Sequence, residues 1–183
     1  YNNDVGEILV SGETAFNTVR SYIKEMVPRQ IKRVKNFKDT KSSIFQKYNV
    51  EKQLDSMYLP SVKLKSGGYI VINQTEALVA IDVNSGRSTK ERNIEETALN
   101  TNLEAAEEVA RQLKLRDLSG LIVIDFIDME GYKNQHSVEK KLKEAMSSDR
   151  ARIQIGRISH FGLLELSRQR LRPSVSENYL SLI

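Results

Sequence analysis

Ala77-Leu78-Val79-Ala80-Ile81-Asp82-Val83-Asn84 and Leu121-Ile122-Val123-Ile124-Asp125-Phe126-Ile127-Asp128 are two apolar runs, each with an aspartate at its end. Runs of Val, Ile and Leu favour buried strands, and an unpaired ionised carboxylate is costly to bury. Each aspartate therefore is held by a donor or itself holds a cation. The stretch between them is long enough for a crossover helix, which would set the two strands side by side. Neighbouring strands lie ~4.8 Å apart, so matched ends would bring both carboxylates to one ion. Oxygen donors without His or Cys select a hard cation, with Mg²⁺ the natural choice where phosphate supplies further ligands. Asn84 lies two residues after Asp82, so on a continuing strand it faces the same side. The competing reading gives each aspartate a structural task, capping a turn or pairing with an arginine. Residue pattern alone leaves both readings open.

Outward from these runs the element order is strand, helix, strand, helix, strand. Tyr69 to Ile72 predicts a strand, with Asn73-Gln74-Thr75 as a tight turn into the strand of Asp82. The polar loop Asn84-Ser85-Gly86-Arg87-Ser88-Thr89-Lys90 follows; it lacks the glycines of a P-loop. Leu99, Leu103, Ala106, Ala110 and Leu113 mark the inward face of a helix from Ile94 to Arg116. A second helix spans Asn134 to Met146, and Ile153–Ile155 and Leu163–Leu166 read as strands. Before this core, Glu7 to Val10 predicts a strand and Ala15 to Met26 a helix closed by Pro28. Another helical stripe runs through Ile44, Tyr48, Leu54 and Met57 to Pro60. The expected fold class is α/β, a mixed sheet covered by helices, with a small α/β segment over residues 1–64. The main domain is expected over residues 65–183, with the break at Lys65-Ser66-Gly67-Gly68. Ligands collect beyond the strand ends of such sheets, where Asp82 and Asp125 would sit.

Composition narrows the class. Charged residues make up 28% of the 183-residue chain, and no apolar run approaches the ~18 residues a membrane span requires. There is no cysteine, hence no disulfide and no thiolate zinc site, and no leader peptide is visible. A cytoplasmic protein is expected. The chain opens on Tyr1 rather than Met, so a segment of a longer protein is expected too. Net charge is +4, gathered in two regions. The first holds Arg29, Lys32, Arg33, Lys35, Lys38 and Lys41; the second holds Arg150, Arg152, Arg157, Arg168, Arg170 and Arg172. Such clusters suit a polyanion, because each neutralised phosphate releases counterions, although a solvated face has the same composition. His136 and His160 are the only histidines, and nothing in the pattern brings them together as an acid–base pair.

Several of these segments resemble the catalytic region of bacterial ribonuclease E/G. They are Ser66 to Ile72, Thr75 to Ser85, Ile94-Glu95-Glu96-Thr97, Asn100 to Ala106, Ala110 to Leu113, Gly120 to Met129, Asp149 to Arg152 and Phe161 to Arg170. The likeness is near-continuous from Lys65 to Arg172 and looser before that. It implies a DNase I-like catalytic subdomain, preceded by part of an RNase H-like subdomain. It also implies a magnesium-dependent endoribonuclease, with Mn²⁺ a plausible substitute, that hydrolyses single-stranded RNA to 5′-phosphate and 3′-hydroxyl ends. In that family the positions of Asp82 and Asp125 hold the metal and that of Asn84 supports it. Arg152, Arg150, Arg87 and Lys90 become candidate contacts to the RNA backbone. Roles in rRNA processing and mRNA decay, and a homo-oligomeric full-length protein, are implied likewise. The family's RNA-binding S1 and 5′-end-sensing regions and its zinc cysteines have no counterpart in this stretch. Asn73 stands where many relatives carry Asp, and His160 where an arginine is common. Two rival functions remain: a non-catalytic RNA-binding or assembly module, and a metal-free ribonuclease driven by His136 and His160.

Overall fold

The computed structural model describes residues 5–39, 41–86 and 94–171. Contacts divide the chain into two units, with the division between Ser56 and Met57.

In the first unit, β1 (Ile8–Ser11) pairs in parallel with β2 (Val34–Phe37). The crossover consists of α1 (Glu13–Met26) and a 3₁₀ turn, Pro28–Arg33. Pro28 opens that turn, where its missing N–H would have no partner anyway. Ser43 and Gln46 then form a reciprocal capping box at the start of α2 (Ile44–Lys47). The apolar stripe from Ile44 to Met57 predicted one helix. The structure breaks it at Asn49, which takes the left-handed conformation at φ 55° and separates α2 from α3 (Val50–Ser56). Of the described apolar residues in this unit, only Val34 is buried.

The second unit is built on a six-stranded mixed sheet in the order β3-β4-β5-β6-β8-β7. Its strands are β3 (Ser61–Lys63), β4 (Tyr69–Gln74), β5 (Val79–Asn84), β6 (Gly120–Asp125), β7 (Ile153–Ile158) and β8 (Leu163–Arg168). β5 and β6 are parallel, joined through α4 (Ile94–Leu115), and every other pairing is antiparallel. The α/β class expected from the sequence is the class observed. Gly67-Gly68 lies inside this sheet as the turn of the β3–β4 hairpin, where Leu64 N–H donates to Gly68 O at 2.8 Å. β4 runs on to Gln74, two residues further than predicted. The turn sits at Thr75–Leu78, where the Thr75 hydroxyl donates to Leu78 O at 2.8 Å and accepts from its N–H at 3.1 Å.

Alternate strand residues enter the core. Ile70, Ile72, Val79, Ile81, Val83, Ile122, Ile124, Leu164 and Leu166 are cross-strand partners of one another and so share a face. Ala105, Ala106, Val109 and Leu113 of α4, and Val138 and Leu142 of α5 (Tyr132–Met146), are fully buried in the same cluster. Small residues on α4 let it lie close to the sheet, and each fully buried Ile or Leu contributes about 1.5–3 kcal/mol. The opposite sheet face is half-buried or exposed. None of the described helices is long and apolar enough to cross a membrane.

At the end of the sheet where β6 begins, Arg168 is enclosed. Its Nε donates to Asp149 at 2.9 Å, and Nη1 donates to Asp117 at 2.8 Å and to Leu118 O at 3.0 Å. Only 2% of its side chain is exposed, so Arg168 belongs to the core and not to the polyanion-binding region assigned from charge. Replacing Arg168 with Met should therefore cost about 3–5 kcal/mol in urea unfolding, because Asp149 stays buried without its partner. Burial alone would raise the Asp149 carboxyl, but hydrogen bonds from Arg168 and from Ala151 N–H hold it below the ordinary range. A carboxyl depressed in the fold adds stability above its unfolded value of ~3.9 and loses it as pH falls through the folded value. Unfolding titrations below about pH 4 should show that loss in the parent protein and much less of it in the Arg168 variant.

Candidate active site

Register settles where the two strand-end aspartates go. Val71, Asp82, Asp125 and Leu163 form one cross-strand row over β4, β5, β6 and β8. Asp82 and Asp125 are direct partners in the parallel pair, on the face turned away from the helices. Their flanking residues, Ile81 and Ile124, are also partners and point the other way into the core. The pleat thus exposes both carboxylates at the C-terminal ends of adjacent parallel strands.

Asn84 joins them. Its Nδ2 donates to Asp82 Oδ2 at 2.8 Å, which fixes that carboxylate's orientation. Two glycines allow the surrounding backbone to close up. A Cβ on Gly68 would lie 2.7 Å from Asn84 O, and one on Gly86 would lie 2.7 Å from Gly67 O. Both positions need glycine because the opposing atoms are backbone and cannot yield.

The loop after Asp125 is held from α4. Asn102 is fully buried; its Nδ2 donates to Ile127 O at 2.8 Å and its Oδ1 accepts from Ile127 N–H at 3.0 Å. Glu95 accepts from the backbone N–H groups of Glu130 and Gly131, each at 3.0 Å, and from Asn134 Nδ2 at 2.6 Å. The Asn134 bond, then the two backbone bonds, keep the Glu95 carboxyl below its ordinary range. Asp128 sits on the loop so held. Strand alternation carried on past Asp125 would turn Asp128 away from it and make it a cap of the following turn, but among the described residues its side chain forms no such hydrogen bond. Instead it faces the hairpin tip Ser159–Gly162, with Oδ1 3.1 Å from where a Gly162 Cβ would stand. Asp128, Asn102 and Glu95 were all passed over as working residues. Asn102 had a readable signal, being a polar residue on the apolar stripe of a helix.

Partial burial first, and then the charges of Asp82 and Asp128, push the Asp125 carboxyl above the ordinary aspartate range. This donor set is all oxygen and mutually repelling, which a divalent cation would relieve. Among the described residues no group of three or more His, Asp or Glu gathers as a ready cage. Two carboxylates suit Mg²⁺ nonetheless, since that ion keeps much of its water and takes further oxygens from phosphate.

Other candidates fall elsewhere. Arg87 and Lys90 lie outside the described residues. Arg150 and Arg152 are exposed beside the start of β7, which pairs with Arg168. They stand about five strand residues, or roughly 16 Å, from the row of the aspartates. The structure does not bring them to the carboxylates. His136 is an exposed residue of α5 whose Nδ1 lies 3.5 Å from Glu139, and His160 packs edge-on against Phe161 at the hairpin tip.

Fold and site define an α/β domain with a paired-carboxylate centre at parallel strand ends. The chain belongs to the Ribonuclease E/G family, which it matches over residues 1–171. It is 55% identical over 175 residues to Ribonuclease E of Haemophilus influenzae, covering 96% of this chain and 19% of that protein. Ribonuclease E of Escherichia coli is 51% identical over 175 residues, covering 96% of this chain and 16% of that protein. Ribonuclease G of Escherichia coli is 35% identical over 172 residues, covering 94% and 35% respectively. The chain thus spans about a fifth of the length of these ribonuclease E relatives and about a third of ribonuclease G.

Two consequences follow from the site's geometry. Replacing Asn102 with Ala should cost about 2–4 kcal/mol in denaturant unfolding, because it orphans both backbone groups of Ile127. A carboxyl raised in the fold binds its proton more tightly folded than unfolded, so the fold weakens as pH rises through that range. In metal-free buffer at neutral pH, Asp125→Asn should therefore melt above the parent protein, and added Mg²⁺ should stabilise the parent alone.

Proposed function

We infer that the chain forms the catalytic part of an endoribonuclease dependent on a divalent cation, which hydrolyses single-stranded RNA to 5′-phosphate and 3′-hydroxyl ends. The supporting observation is the in-register pairing of Asp82 with Asp125, in a chain whose relatives carry the names ribonuclease E and ribonuclease G. Asp82 and Asp125 would hold Mg²⁺, or Mn²⁺ in its place. Such a cation, when bound, offsets charge developing on the phosphoryl oxygens and lowers the pKa of water. Asn84 keeps the Asp82 carboxylate in one orientation, and Asn102 and Glu95 keep the loop beside Asp125 in place. Water attacks phosphorus, the bond to the 3′ oxygen breaks, and that oxygen leaves with a proton. Arg87 and Lys90, which follow Asn84 in the sequence, would also meet the RNA backbone; Arg150 and Arg152 would meet it away from the carboxylates. Work in rRNA processing and mRNA decay, as a cytoplasmic homo-oligomer, belongs to the same reading.

One observation favours a second reading for the first unit. Tyr22, Met26, Phe45, Tyr48 and Leu54 are each about half exposed or more, which suits an assembly surface. A pure assembly or RNA-binding module would bind a single-stranded oligoribonucleotide, with steep salt dependence, and leave it intact.

The test is cleavage of an end-labelled single-stranded oligoribonucleotide by the intact protein. Mg²⁺ should support cleavage and EDTA should abolish it. Asp82→Asn and Asp125→Asn should each lower the rate by roughly a hundredfold or more. Cleavage that survives EDTA and leaves cyclic phosphate ends would point to His136 and His160 instead.

A further inference from the structure

Beyond the carboxylates, two cavities of about 550 and 410 Å³ adjoin, sharing Tyr132, Gln135 and Ile158 in their walls. Both are in the ~300–1,000 Å³ range of ligand clefts. The smaller begins at Asp128, His160 and Gly162, beside the strand end that carries Asp125. The larger continues along α5 past Lys133 and His136 to Arg157. Together they make one groove that starts at the loop following Asp125 and runs along α5.

The groove's walls combine features that match a nucleic-acid strand. Tyr132 stands at the junction of the cavities with 75% of its surface exposed. Phe161 lines neither cavity but stands at the rim, between His160 and Gly162 of the second wall; at 83% exposed it is the most open large apolar side chain described. Two aromatic rings held out in water cost hydrophobic free energy, yet neither packs on the core. The hairpin tip that carries Phe161 is ordered by Gly162 N–H donating to Ser159 O at 3.0 Å and Ser159 N–H donating to Leu163 O at 2.8 Å. The α5 side is fixed by buried Glu139, which accepts from Ile158 N–H at 2.8 Å. Lys133 and Arg157 line the groove, and neither has an ion-pair partner among the described residues. Cations spaced along a groove with exposed rings are what a backbone and its unstacked bases require.

We propose that this groove is a base-stacking subsite for the single strand that runs off the carboxylate pair. Tyr132 and Phe161 serve as platforms, and Lys133 and Arg157 meet phosphates. The proposal rests on the endoribonuclease reading for the identity of its ligand. It gives the single-strand requirement of that reading a physical cause, because a ring cannot stack on a base already stacked in a duplex.

Binding separates the two ideas when measured in the intact protein carrying Asp82→Asn and Asp125→Asn, so that cleavage does not interfere. The probe is a short oligoribonucleotide with 2-aminopurine at successive positions. Fluorescence should be quenched at one or two positions. In that background, Tyr132→Ala and Phe161→Ala should each weaken binding by roughly 5- to 150-fold and remove one quenched position, while Tyr132→Phe keeps both. Replacing Lys133 and Arg157 with Gln should lower the slope of log affinity against log salt by about 0.7 each. Unchanged affinity and quenching in the two alanine variants would overturn the proposal, as would equal affinity for the same sequence in a duplex. If the otherwise unaltered protein binds and quenches but never cleaves in Mg²⁺, the endoribonuclease reading fails and the groove stands. If it cleaves, and the alanine variants keep its KM and kcat, the groove fails and the catalytic reading stands.

Discussion

The parallel pairing of β5 with β6 is the constraint on which the rest depends. Side chains alternate along a strand, so placing Ile81 opposite Ile124 in the core necessarily places Asp82 opposite Asp125 on the other face. A slip of one residue would drive a carboxylate into apolar surroundings, and burial of an ionised group forbids it. Core packing and the placement of the two carboxylates are thus two faces of one register. α4 makes that register possible as the crossover between the strands, and it supplies Asn102 and Glu95 to steady the loop beyond Asp125.

Such a site is not built for stability. Asp125 is raised by partial burial and by the charges of Asp82 and Asp128, so the fold holds together carboxylates that repel. Compensation comes from elsewhere. At the other end of β6, Arg168 is enclosed by Asp117, Asp149 and the Leu118 carbonyl. At one end of the sheet the buried carboxylates have a cationic partner from within the fold, and at the other the paired carboxylates have none among the described residues. Sites that bind a missing charge commonly carry this kind of tension.

Most of the second unit was legible because its signals are local and strong. The apolar runs ending at Asp82 and Asp125 read directly as strands, and the α4 stripe gave helix bounds within a residue of those observed. The α2–α3 break was not legible, since Asn49 fits a helical stripe until its backbone turns left-handed. Arg168 looked like part of a basic patch because charge counts carry no burial; only the fold brings Asp117 and Asp149 to it. Asp128 was dismissed on strand alternation, which stops applying once β6 ends at Asp125. The distance of Arg150 and Arg152 from the aspartates is likewise set by the β7–β8 pairing, which no local pattern reveals.

The central claim is that Asp82 and Asp125 jointly hold a divalent cation. An anomalous difference map from crystals soaked in Mn²⁺ tests it most directly. A peak bridging the two carboxylates at about 2.1–2.2 Å, absent in Asp82→Asn crystals, is the predicted result. Manganese bound only elsewhere, with both carboxylates engaged by protein donors alone, would contradict it.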